Sequence, residues 1–114
     1  MQDFTLPESL DAEINVIANM INDAESVDVA LEIIKNEEEF YHKRNKLMYK
    51  AIMSLASRGK SINRVSIAEE LKAMDALEMA GGPQYIAEVG SSYVTGARQK
   101  DLAEIVHELS LIHI

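Results

Sequence analysis

Between Ser61 and Val89 the chain reads SINRVSIAEELKAMDALEMAGGPQYIAEV, a stretch that admits little besides a helix, a break and a second helix. Ser66 and Glu69 have the spacing of a capping box, in which a hydroxyl and a carboxylate each satisfy one of the first free N–H groups of a helix. Ile67, Ala68 and Leu71 then recur at helical spacing, and the pattern runs out near Met74. Gly81–Gly82–Pro83 supplies the break: glycine tolerates positive φ, and proline suits the first turn of the helix that follows. Tyr85, Ile86 and Val89 give that helix an apolar side.

The rest of the chain repeats this grammar. Ser9 is placed to cap a first helix with Asp11 and Glu13 near its positive end, and Leu10, Ile14, Ile17 and Ile21 form its apolar stripe. Asp23 can cap a short second helix buried through Val27, Ala30, Leu31 and Ile34. Asn36 with Glu39 offers another capping box ahead of Phe40 and Tyr41, two aromatics suited to anchoring helices against one another. The longest helix is expected near residues 42–57, packing Leu47, Ala51, Ile52 and Leu55, with Gly59 as its stop. Gly90 to Gly96 reads as a loop with Tyr93 and Val94 tucked inward, and a last helix begins near Ala97. No strand alternates convincingly, so the fold class is all-α with about six helices.

Charge and composition narrow the function. Residues 1–41 carry eleven acidic side chains against Lys35, a net of −10, and the remainder carries ten basic against eight acidic, a net of +2. A chain with a formal net charge of −8 is ill suited to gripping phosphate backbones, where affinity comes from clustered Lys and Arg. The acidic third is either a solvated helical surface or a docking face for a basic partner. The absence of cysteine excludes disulfides and thiolate metal sites and accords with a reducing cytoplasm, and no apolar run approaches the roughly 20 residues that span a bilayer.

No catalytic, cofactor-binding or metal-binding residue stands out. Gly59–Lys60–Ser61 spells the end of a phosphate-binding loop, but that loop needs a glycine five residues earlier and a preceding strand; position 54 is Ser within a helical pattern. His42, His107 and His113 have no pairing at helical metal-ligand spacing. Glu37–Glu38–Glu39 and Glu69–Glu70 sit at helix starts, where capping accounts for them.

The order SIAEELK, Leu77, then GG-x-x-Y-I-A-E-V resembles the N-terminal domain of DnaB-type replicative DNA helicases. The likeness extends to PESLDAE at Pro7–Glu13, to FYHKRNKLMYKAI at Phe40–Ile52 and to Tyr93–Val106, and so covers roughly Pro7 to Val106. Ala18 stands where the family commonly has Gly, Asn45 where it has His, and Asn63 and Ser66 where it has Asp and Thr; these changes conserve packing or capping.

The resemblance implies a non-catalytic assembly domain. Its parent would be a hexameric ring that unwinds DNA using ATP and Mg in a downstream motor domain, touching DNA only through that parent. It implies a globular head at about residues 8–80 and a truncated helical hairpin at 81–114, hinged at Gly81–Gly82–Pro83. Primase, and a helicase loader, are the partners it suggests. Self-association is expected through Tyr85, Ile86, Val89, Leu102, Ile105, Val106, Leu109 and Ile112, since the last five share one helical stripe that two antiparallel hairpins would bury. Two other classes fit the residues: a helix-turn-helix DNA-binding regulator, whose recognition helix near Pro83–Val89 would lack any Arg or Lys, and a stand-alone helical adaptor.

Overall fold

The computed structural model describes residues 7–93 and 98–112, with side chains from Leu10 onward. Six α-helices and one 3-10 turn make up the described residues: α1 (Pro7–Asn22), α2 (Ala24–Ile33), the turn Glu37–Glu39, α3 (Lys43–Ser57), α4 (Arg64–Ala73), α5 (Gly82–Ser91) and α6 (Gln99–Ser110). The all-α reading holds. At 16 residues α1 is longer than α3 at 15, contrary to the expectation that the third helix would be the longest.

Local chemistry sets most boundaries. Asp23 caps α2 by accepting the Glu25 N–H at 3.1 Å, and Asn36 caps the 3-10 turn by accepting the Glu38 N–H at 2.8 Å. Glu39 does not close a box on Asn36; its carboxylate accepts the Lys35 N–H at 2.8 Å instead. The end of α3 has the paired bonds of a Schellman motif, Lys60 N–H to Leu55 O and Gly59 N–H to Ala56 O, with Gly59 at φ 68°. After α4 the same pattern recurs with Asp75 at φ 57°, and again at Gly81, whose φ of 99° is open to glycine and costly for other residues.

Two expected starts move. The capping box of α4 is Asn63 with Ser66, one turn earlier than Ser66 with Glu69: the Asn63 side chain accepts the Ser66 N–H at 2.8 Å while the Ser66 hydroxyl accepts the Asn63 N–H at 2.9 Å. Both residues can cap, and the earlier choice adds a turn of helix and uses Ser66 twice. Likewise α1 begins at Pro7, which places Ser9 in its first turn. Gly90 is helical and buried, so the loop starts after α5; Tyr93 is exposed, and Val94 and Ala97 lie outside the described residues.

α1 is the axis of the packing, lying against α2, α3, α5 and α6, while α4 bridges α3 and α5. Its buried face runs through Glu13, Val16, Ile17 and Met20, and Leu10, Ile14 and Ile21 flank that face rather than centre it. One hydrophobic cluster joins α1 to Phe40, Met48, Tyr49 and Ile52, to Ile67 and Leu71, and onward to Ile86, Val89, Ala103 and Val106. Across the expected boundary between a head at 8–80 and a hairpin at 81–114, α5 takes its main partners from α1 and α4, and α6 from α1 and α2.

Tyr49 illustrates how the core handles polar groups. Its ring lies 4.7 Å from that of Phe40, and its hydroxyl donates to the Ile34 carbonyl at 2.7 Å, just past the end of α2, with the Ala30 carbonyl, which already accepts the Ile34 N–H, a second acceptor at 3.2 Å. Burial pushes its hydroxyl pKa well above the usual value, so it stays a donor. Tyr49→Phe is expected to lose about 1–2 kcal/mol, because it strands a buried acceptor while keeping the ring. Urea unfolding should show a lower midpoint with an unchanged slope; an unchanged midpoint would mean the hydroxyl carries none of the junction.

Candidate interaction surface

The tightest side-chain constellation is a polar relay centred on Glu13, a glutamate only 1% exposed in the core face of α1. Its carboxylate accepts the Tyr41 N–H at 2.6 Å, the His42 N–H at 3.3 Å and the Asn45 amide at 2.8 Å. Asn45 in turn accepts the Tyr85 hydroxyl at 2.7 Å, and Arg44 lies 5.1 Å above the Tyr85 ring. The relay thus pins α1, the start of α3 and α5 together. His42 makes no side-chain cap, and the carboxylate from α1 serves the backbone at this junction. Nothing in the spacing of Glu13 alone distinguishes it from a dipole-facing acid; its signal was a charge flanked by Ala12, Val16 and Ile17 on the helix face that must be buried.

A second polar clasp holds α6. Asn19 donates to Gln99 at 2.9 Å, and Gln99 donates to the carbonyls of Val16 at 3.0 Å and Ser26 at 3.3 Å, all buried. At the other end His107 Nδ1 meets the Glu39 carboxylate at 2.7 Å. With Ala103 and Val106 between these ties, α6 is seated along its length.

This seating redistributes the residues expected to mediate self-association. Ile86, Val89 and Val106 are 1%, 1% and 2% exposed within a single chain, and the Tyr85 hydroxyl is committed to Asn45. Ile86, Val89 and Val106 belong to the core, and the Tyr85 ring is half-buried at its edge. Leu102 and Leu109 are half-buried at its margin, and Ile105 and Ile112 are exposed. Leu102, Ile105, Val106 and Leu109 lie on α6, which packs against α1 and α2, and Ile112 lies just past the end of that helix.

Gly59–Lys60–Ser61 forms the Schellman end of α3 beside an open groove of about 480 Å³ lined in part by Ile21, Val27, Ala56 and Ile62, with no loop wrapped for phosphate. Among the described residues no group of three or more His, Cys, Asp or Glu could hold a metal, and no helix is long and apolar enough to cross a membrane. His113 lies outside the described residues. The helix-turn-helix alternative meets a steric obstacle: α5, its recognition helix, buries Ile86, Val89 and Gly90 and carries no basic residue.

What remains available for interaction is the outer surface, and its charge is segregated. α1 and α2 carry no basic residue, whereas α3 carries Lys43, Arg44, Lys46 and Lys50 and no acidic one. Lys46 pairs with Glu38 at 2.9 Å. Farther along, Glu70 accepts the Ser54 hydroxyl at 2.7 Å and pairs with Arg58, and these two donors hold its carboxyl below the usual pKa range.

Comparison with known proteins matches this architecture to one family. The family described as "DnaB-like helicase N terminal domain" matches residues 5–108. The chain is 31% identical over 106 residues to the replicative DNA helicase DnaB of Geobacillus stearothermophilus, covering 93% of this chain and 23% of that protein. It is 28% identical to the replicative DNA helicase DnaC of Bacillus subtilis, again over 93% of this chain and 23% of the relative. The chain therefore spans under a quarter of the length of these relatives. The crystal structure of the N-terminal domain of DnaB helicase from Mycobacterium tuberculosis superposes with a TM-score of 0.85 at 30% identity, covering 91% of this chain and 75% of that one. With its axial α1, its α3–α4 junction and all but the last two residues of its seated α6 within the matched span, the chain belongs to the DnaB-like helicase N-terminal domain family.

Proposed function

We propose that the chain is a non-catalytic assembly and docking domain of a replicative DNA helicase. The observation that supports this most is the likeness to a DnaB N-terminal domain at a TM-score of 0.85 across 91% of the chain. In this reading ATP and Mg act in a motor domain of the parent protein, DNA is engaged there, and the present domain arranges copies in a ring and receives primase or a helicase loader in the cytoplasm. Contacts between copies would use the apolar residues that the core leaves free: Ile105 on α6 and Ile112 just past its end, with Leu102 and Leu109 beside them.

The test compares the parent helicase with a version lacking residues 7–112. ATP hydrolysis should persist without the domain, while ring assembly weakens and primase no longer co-elutes. Undiminished co-elution of primase after the deletion would end the docking assignment. ATP turnover by the isolated domain, lost on Lys60→Ala, would end the non-catalytic one.

A further inference from the structure

Within a chain of net charge −8, one helix face has the opposite sign. Of the eleven basic residues four lie on α3, and all nineteen acids lie elsewhere. Lys43, Lys46 and Lys50 follow one another by three and four residues, which puts them on one face together with Leu47. They span about 10 Å along the helix axis. The same four side chains line an open groove of about 290 Å³, closed on its other side by Glu37 and Glu38. Glu38 neutralises Lys46 through their ion pair, but Lys43 and Lys50 are exposed and have no ion pair among the described residues. Their field still reaches the groove: Glu38 is held below the usual carboxyl pKa first by the hydrogen bond and charge of Lys46 and then by Lys43 and Lys50.

We propose that this face of α3 docks an acidic amphipathic helix of a partner protein. Carboxylates about two turns apart on the partner would meet Lys43 and Lys50, and an apolar side chain between them would cover Leu47. The inference rests on the docking half of the function proposed above and names the chemistry of what docks. The surfaces of α1 and α2 support it by exclusion. An acidic helix is repelled by α1 and α2, which carry acidic side chains and no basic ones, so the charge pattern both selects the partner and sets where it lands. Nucleic acid is the weaker fit: its strands extend far beyond three lysines, into the field of an acidic protein, and few counterions would be released.

Fluorescence anisotropy on the full 114-residue chain tests this. The probe is a fluorescein-labelled, alanine-rich helical peptide with glutamates at i, i+3 and i+7 around one leucine. A scrambled peptide of the same composition and a short random-sequence DNA duplex serve as comparisons. Lys43→Glu combined with Lys50→Glu should weaken binding of the patterned peptide by about tenfold or more, in a salt-dependent manner. Lys72→Glu combined with Lys100→Glu, which alters net charge equally on other exposed surfaces, should change it by less than about threefold. Circular dichroism should show both double variants folded, since all four lysines are exposed. Equal losses in the two variants, no binding of the patterned peptide, or tighter binding of the DNA duplex that the first variant abolishes would each overturn the proposal. If primase co-elutes with the parent helicase while the peptide fails to bind α3, docking stands and this face is not its site. Peptide binding without primase co-elution would keep the acidic-helix site on α3 and remove primase as its occupant.

Discussion

Glu13→Ala is expected to destabilise the domain by about 3–5 kcal/mol, a large part of the roughly 5–15 kcal/mol that holds a domain of this size. The reason is what the carboxylate leaves behind. Its removal strands the N–H groups of Tyr41 and His42 and the Asn45 amide, around a side chain that is 1% exposed. The Asn45 amide is buried and the two N–H groups are part-buried; a buried donor left unpaired costs about 1–3 kcal/mol, a part-buried one less, and loss of the side chain adds a cavity. The damage should spread along the relay, because Asn45 also orients the Tyr85 hydroxyl on α5. Glu13→Gln keeps the shape and one acceptor oxygen but turns a donor toward a donor, so an intermediate loss is expected. Urea denaturation of the three proteins measures this order directly. A loss below about 1 kcal/mol for Glu13→Ala would show that the junction relaxes and finds other acceptors.

The second large effect distinguishes core from surface within one helix. Val106→Asp should cost about 4 kcal/mol or more, since it places an ionisable group at a site 2% exposed among apolar neighbours. Ile105→Asp, one residue earlier and 40% exposed, should stay within about 0.5 kcal/mol of the unmutated chain. Thermal unfolding followed by circular dichroism separates the two cases. If α6 were instead part of a detachable hairpin, both variants would leave the head folded and both would act only on association. Sedimentation of Ile105→Asp at high micromolar concentration then addresses the contact between copies separately from folding, which the deeper substitution cannot do.

Much of the architecture was legible because it is written in local, periodic signals. The caps at Asp23 and Asn36, the stop at Gly59, the break at Gly81 and the apolar positions Ile67, Leu71, Ile86 and Val89 all depend on interactions within a few residues, so the order of neighbours determines them. The family likeness rests on that same order. Where two local solutions compete, sequence order does not choose: Ser66 can begin a capping box or complete one, and Asn63 settled the choice by offering a reciprocal pair.

Partnership between distant helices is a different kind of fact. The stripe on α6 follows from its spacing, yet whether a second copy or the head itself covers it depends on where α1 and α2 lie, and Asn19, Gln99 and Glu39 tie it to the head. The role of Glu13 was hidden for the same reason: its partners lie 28, 29 and 32 residues away and exist only once α3 has been laid against α1. By itself the sequence determined which segments are helical, where they stop, which sides are apolar and which helix carries the basic charge. Tertiary structure alone decided which apolar sides face one another and which polar groups are satisfied in the interior, because burial is a property of the assembled core and no single helix carries it.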